Sequence, residues 1–123
     1  MAFINDRVFD NGLSAITSEA TRLDLCSQEP TTYTEATSTY TLANKTSITV
    51  GSPTDGDSSG RKVVVAAITS GSVTGTGTAT HWAVTDTSNS RLLAAGALSA
   101  SQAMTSGYYF DLAEIDITIP DPA

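Results

Sequence analysis

The apolar positions of this chain change period early. In VFDNGLSAITSEATR, Leu13, Ile16 and Ala20 recur at helical intervals and Asn11 is placed to cap, which predicts one short N-terminal helix. From Arg22 onward the period drops to two. RLDLCS alternates Leu23 and Leu25 with Arg22 and Asp24, the pattern of a half-buried strand. QEPTTYTEATSTY reads as a loop or an exposed threonine-rich edge, since Pro30 cannot donate to a ladder, and TSITV reads as a short strand. GSPTDGDSSG, residues 51–60, is the plainest loop, built from turn-forming residues with no apolar anchor.

The second half is more strongly patterned. RKVVVAAI is a continuous apolar run, which predicts a strand covered on both faces at the centre of a sheet. The glycines of GSVTGTG suit a tight hairpin, and the small residues leading into His81 allow close approach by a neighbouring backbone, from this chain or another subunit. THWAV and RLLAAGAL flank TDTSNS, a second hairpin connection, and YYFDLAEIDITI supplies one or two closing strands. Ile115, Ile117 and Ile119 share one face there, but the apolar phase slips by one after Leu112, which predicts a turn or bulge near Ala113 and Glu114. The prolines of PDPA end the pairing.

Short strands between turn signals, without alternating long helices, predict a single all-β domain over residues 1–123, an antiparallel β-sandwich or jelly roll with a short N-terminal helix. Charge narrows the partners. Thirteen acidic residues against six basic ones give a net charge of −7, which disfavours direct contact with nucleic acid or an anionic membrane. No apolar run approaches the roughly 18 residues of a transmembrane helix, and MAFINDRVFD lacks the apolar core of a secretory signal, so synthesis and assembly in a cytoplasm are expected.

Candidate chemistry centres on THWAVTD, which holds the only histidine and the only tryptophan. On a strand His81, Ala83 and Thr85 face one way and Trp82, Val84 and Asp86 the other, so His81 and Asp86 start on opposite faces. A Ser-His-Asp triad would depend on His81 alone, and no nucleophile-elbow sequence supports it. The expected roles are structural: Trp82 in the core, His81 at a strand edge. Cys26 has no second cysteine to bond and reads as a small buried apolar side chain. Zinc would need several Cys or His ligands, and the chain has one of each, far apart in sequence. Asp55 and Asp57 sit in a glycine-rich turn but lack the spacing and the later bidentate Glu of a calcium loop, so a plain turn is expected and cation binding stays open. The sequon at Asn44 carries little meaning without a secretory signal. No catalytic residue, cofactor site or metal site is assigned.

The stretches NGLSAI, LDLCSQEPTTYTEA, GRKVVVAAI, GTATHWAVTDTSNSRLLAAGAL and IDITIPDPA cover most of the chain, and on them it resembles a family of small virion proteins of tailed bacteriophages. The resemblance implies a non-enzymatic particle component located in the virion, with the major capsid protein or other virion proteins as partners.

Three functions compete on this reading. The first is a capsid decoration or cement protein on the outer surface of the major capsid shell, assembled as a homo-oligomer with a trimer as the favoured order. The second is a neck, collar, tail or fibre component, and the third is a small hydrolase or carbohydrate-binding module. Tyr33, Tyr40, Tyr108, Tyr109 and Phe110 are the candidate interface residues, within the run Tyr108 to Phe110 and the segment Pro30 to Leu42.

Overall fold

A computed structural model describes residues 5–120, so the last three residues of the PDPA stretch lie outside the described residues. The chain is mostly strand, with one helix at its start. Helix α1 spans Asp6–Glu19, and its cap is Asn5, whose Oδ1 accepts the Arg7 N–H at 2.9 Å. Asn11, expected as the cap, lies inside the helix, because Phe9, Leu13 and Ile16 extend the inward stripe one turn further back than Leu13. At Ala20 the backbone becomes extended, and β1 (Arg22–Cys26) begins two residues later.

A six-stranded antiparallel sheet runs β7-β6-β1-β2-β5-β8, formed with β2 (Thr41–Thr46), β5 (Ile68–Val73), β6 (Gly77–Asp86), β7 (Arg91–Met104) and β8 (Tyr109–Leu112). A three-stranded sheet runs β3-β4-β9, from β3 (Thr54–Asp55), β4 (Arg61–Val65) and β9 (Ile115–Ile119). The sheets are joined by one bent hairpin. Strand β4 pairs with β9, Val65 opposite Ile115, and the chain continues through two short corners into the β5–β8 pair, where Ile68 faces Leu112. The apolar phase slip near Ala113 and Glu114 is the second of these corners. Helix and both sheets enclose one core that includes Leu13, Leu23, Leu25, Val63, Val65, Ile68, Val84 and Phe110.

Four sequence expectations shift in this frame. RKVVVAAI is central only to the smaller sheet, and its last residues are not one strand: Val63 and Val65 are buried, while Ala66 and Ala67 are exposed at the corner. β1 is not half-buried, because it lies between β2 and β6 and its polar side, Asp24 and Cys26, is as buried as its leucines. TSITV is not a strand; the pairing falls on TLANKT, directly after a single wide helical turn at Glu35–Thr39 that closes the QEPTTYTEATSTY segment over the sheet. This turn is held locally, with Glu35 accepting from both the backbone and the hydroxyl of Thr31 at 2.8 and 2.9 Å.

Nor is GSVTGTG a hairpin. Strands β5 and β6 are separated in the sheet by β1 and β2, so the link crosses them, with Thr74 and Gly75 N–H both donating to the Leu42 carbonyl at 2.8 and 3.0 Å. The close neighbour that the small residues admit is the Leu42 side chain of the same chain, which a Cβ on Gly75 or Gly77 would meet at 3.3 Å.

Candidate functional site

Two faces of the large sheet carry the groups that sequence reasoning singled out. The register sets Cys26 opposite His81, Leu25 opposite Trp82 and Leu23 opposite Val84. Directly opposed residues share a face, so Trp82 and Val84 look toward the main core and His81 looks the other way. Trp82 packs against the core, where it was expected, but is only partly buried; its indole lies across Gly96 on β7, where a Cβ would stand 2.7 Å from the ring. A glycine opposite an aromatic ring in an outer strand lets the ring cover the backbone.

The pairing of Cys26 with His81 joins two residues 55 positions apart. Their chemistry is already engaged elsewhere. The Cys26 thiol, fully buried, points at the Ala36 carbonyl at 3.6 Å, and burial, with a smaller push from Asp24, raises it to about 12. A thiol held protonated is a poor nucleophile. Thr80 Oγ1 donates its one proton to the Ser27 carbonyl at 3.0 Å, so at 2.8 Å it accepts from His81 Nδ1–H. His81 is thereby fixed in orientation with Nδ1 protonated. Asp86, on the opposite face, caps the β6–β7 turn: its carboxylate accepts the Asn89 side chain at 2.7 Å and the Ser88 backbone at 3.0 Å, which hold it below the usual carboxylate range. His81 and Asp86 therefore form no dyad.

Beneath the Glu35–Thr39 turn lies a polar cluster that sequence reasoning missed. Arg22 grips Asp24 through two bonds of 2.7 and 2.8 Å, Thr41 donates to the same carboxylate at 2.6 Å, and Arg22 reaches the Thr37 carbonyl at 3.4 Å. Burial raises the Asp24 carboxyl while these bonds oppose it, and the bond to Asp24 raises Arg22. Charge adjacent on one strand face was the available signal, but the covering turn was not legible. The cluster fastens the segment above it, including half-buried Tyr33 and Tyr40, to the sheet.

Asp55 and Asp57 are taken by cations of β4: Asp55 pairs with Arg61 at 2.6 Å and Asp57 with Lys62 at 2.7 Å, and the Lys62 ammonium holds Asp57 low. Among the described residues no group of three or more His, Cys, Asp or Glu is placed to hold a metal.

The proposed interface aromatics divide. Tyr108 and Tyr109 are 68% and 75% exposed, whereas Phe110 is 6% exposed and packs inward onto Gly71 across the β5–β8 pair. Phe110 is thus a core residue, corrected from an interface residue, because β8 alternates and Gly71 leaves the space its ring fills. The exposed tyrosines border a groove of about 380 Å³ between the two ends of the large sheet, with Ser99, Gln102 and Met104 of β7 on one wall, Phe110 and Leu112 of β8 on the other. A second hollow of about 270 Å³ continues it past Trp82, Leu98 and Ile115. The large sheet is therefore curled until its outer strands face one another across a seam. No protein-family model, curated protein or solved structure matches the chain.

Proposed function

We propose that this protein is a non-enzymatic virion structural component that decorates or cements the outer surface of a major capsid shell. The observation that supports this reading best is the adjacent pair Tyr108 and Tyr109, large aromatic side chains left in solvent on a curled antiparallel framework. Tyrosine is enriched where proteins meet, and a scaffold whose cysteine and histidine are both engaged in structure offers contact in preference to reaction. The resemblance to small virion proteins points the same way. Its strands would pack as a sandwich- or jelly-roll-like domain, and identical copies would close into a ring, a trimer first, sharing apolar area that a core of this size lacks. Assembly would take place in the host cytoplasm.

The test is stoichiometry and order of addition. Particles of the source virus, analysed by quantitative mass spectrometry, should carry this chain in numbers comparable to the major capsid protein. Purified protein should also rebind stripped particles from outside, and Tyr108→Ser with Tyr109→Ser should lower that binding at least tenfold while leaving the melting temperature unchanged. A few copies per particle, confined to neck or tail, would refute the shell assignment. Absence from purified particles would refute a virion role.

A further inference from the structure

We propose that the seam between β7 and β8 is a docking groove for an extended, lysine- or arginine-bearing segment of another protein, which adds to the sheet edge as a strand. Strands β7 and β8 are the two ends of the six-stranded order, so each has an outer side without a hydrogen-bonded neighbour in the sheet. Such edges are templates for an added strand, which natural proteins ordinarily shorten, charge or cover. Here they are turned toward one groove. The partly exposed apolar groups within reach are Leu112 in this groove and Trp82, Leu98 and Ile115 in the hollow beyond it, set among polar lining that includes Ser99, Gln102 and Asp111. An extended segment presents alternate side chains to one face, so a strand lying along the seam would set its apolar residues against these groups and its others at the rim.

Charge decides the occupant. The residues lining the two hollows include Asp111, Glu114 and Asp116 and no lysine or arginine. Asp111 accepts the Ser70 N–H at 3.0 Å and Asp116 meets Lys62 at 3.1 Å, while Glu114 has no partner among the described residues. At this seam a second copy would set its own Asp111 and Glu114 against these. Like charges facing across a sheet edge are destabilising, so self-pairing is opposed and a basic strand is favoured. Tyr108 and Tyr109, the contact residues of the proposed function, border the same groove, but the inference rests on the two strand edges and the acidic lining and does not require a capsid shell as the partner.

A synthetic peptide of alternating lysine and valine, eight residues long, supplies the probe, with an alternating glutamate and valine peptide and a version of the lysine peptide N-methylated at every second residue as controls. Trp82, the only tryptophan, lines the second hollow and reports occupancy by its emission. The lysine peptide should shift Trp82 emission, slow amide exchange in β7 and β8, and bind at least tenfold more weakly in 0.5 M salt, where exposed charges are screened. Glu114→Lys, on an exposed corner, should weaken it about three- to fivefold, as loss of one exposed ion pair does. Equal binding of the glutamate peptide would overturn the charge argument. Equal binding of the N-methylated peptide, or no protection of β7 and β8, would overturn strand addition. A dimer in sedimentation that protects the same strands without peptide would assign the seam to a second copy and overturn the proposal.

Discussion

Gly71 is the position at which the packing of this fold can be tested most sharply. It faces Phe110 across the β5–β8 pair, and a Cβ built on it would overlap three atoms of the aromatic ring. The ring is buried and cannot swing into solvent without leaving the core. Two effects compete in Gly71→Ala. Restricting the unfolded chain favours alanine by roughly 0.4–1 kcal/mol at a compatible backbone, and overpacking a well-filled site costs about 1–3 kcal/mol. The clash wins, leaving a net loss of about 1–2 kcal/mol, or about 4–8 °C in melting temperature for a domain of this size.

Phe110→Leu provides the control, since it removes the ring edge that alanine would strike. Alone it should cost about 1–2 kcal/mol through the cavity it leaves. In that background Gly71→Ala should become neutral or mildly stabilising, a coupling well beyond the roughly 0.5 kcal/mol expected of independent sites. Thermal and urea unfolding followed by circular dichroism would measure all four proteins. If Gly71→Ala melts at or above the parent temperature, or loses as much with leucine at 110 as with phenylalanine, the Gly71–Phe110 contact does not hold the β5–β8 pair as described.

Trp82→Ala should destabilise by about 2 kcal/mol, below the range for a fully buried tryptophan, because one side of the indole is open to the seam; urea titration would check this. Cys26 should react with a thiol reagent only at the rate of unfolding, and rapid labelling of the native protein would contradict its burial and its raised thiol. Asp86 is held below its ordinary range, so the stability it contributes is present above the unfolded value of about 3.9 and lost as pH falls through the lower folded value. Asp86→Ala should therefore melt earlier than the parent at pH 7, and the gap should narrow as pH falls below the ordinary carboxylate range; a gap that stays constant from pH 7 into acid would show that the carboxylate charge is not its source.

What the sequence made legible follows from how local each signal is. The TDTSNS turn and the break at Ala113 and Glu114 are written in neighbouring residues, and each falls where it was expected, whereas the stretch 51–60, read as loop, holds the two-residue strand β3 (Thr54–Asp55). The strand at TLANKT was not legible, since its alternation is weak and its partners are β1 and β5, set by non-local pairing. The same limit hid the burial of Asp24. A carboxylate in an alternating strand signals solvent unless another segment covers it, and the cover is a turn 11 to 15 positions on that has no apolar pattern of its own. Phe110 failed for a related reason: its neighbours Tyr108 and Tyr109 are exposed, and three aromatics in a row do not say which of them alternates inward. The Gly71 opposite it carried that information, but only once the pairing was known.

The turn that presents the two tyrosines is tied to its neighbours by hydrogen bonds, and this bears on how such a surface would bind. Gly107 adopts a φ of 92°, in the left-handed region that glycine enters freely, which lets the chain reverse between β7 and β8. The reversal is tied to the end of β5 by Gly107 N–H on the Val73 carbonyl at 3.0 Å, and to the β5–β6 link by Ser106 N–H on Thr76 Oγ1 at 3.1 Å and the Ser106 hydroxyl on the Thr74 carbonyl at 3.3 Å. That link is in turn anchored to Leu42 in β2. Tyr108 and Tyr109 therefore stand on a turn whose polar groups are hydrogen-bonded within the chain. Ordering loops and side chains at an interface costs roughly 0.5–1.5 kcal/mol for each mobile side chain; here hydrogen bonds within the chain reduce the backbone share of that cost. An exposed aromatic on a floppy loop would need its partner to fold it. On this turn the cost left to association is that of ordering the two tyrosine side chains themselves, which suits the contact role proposed for them.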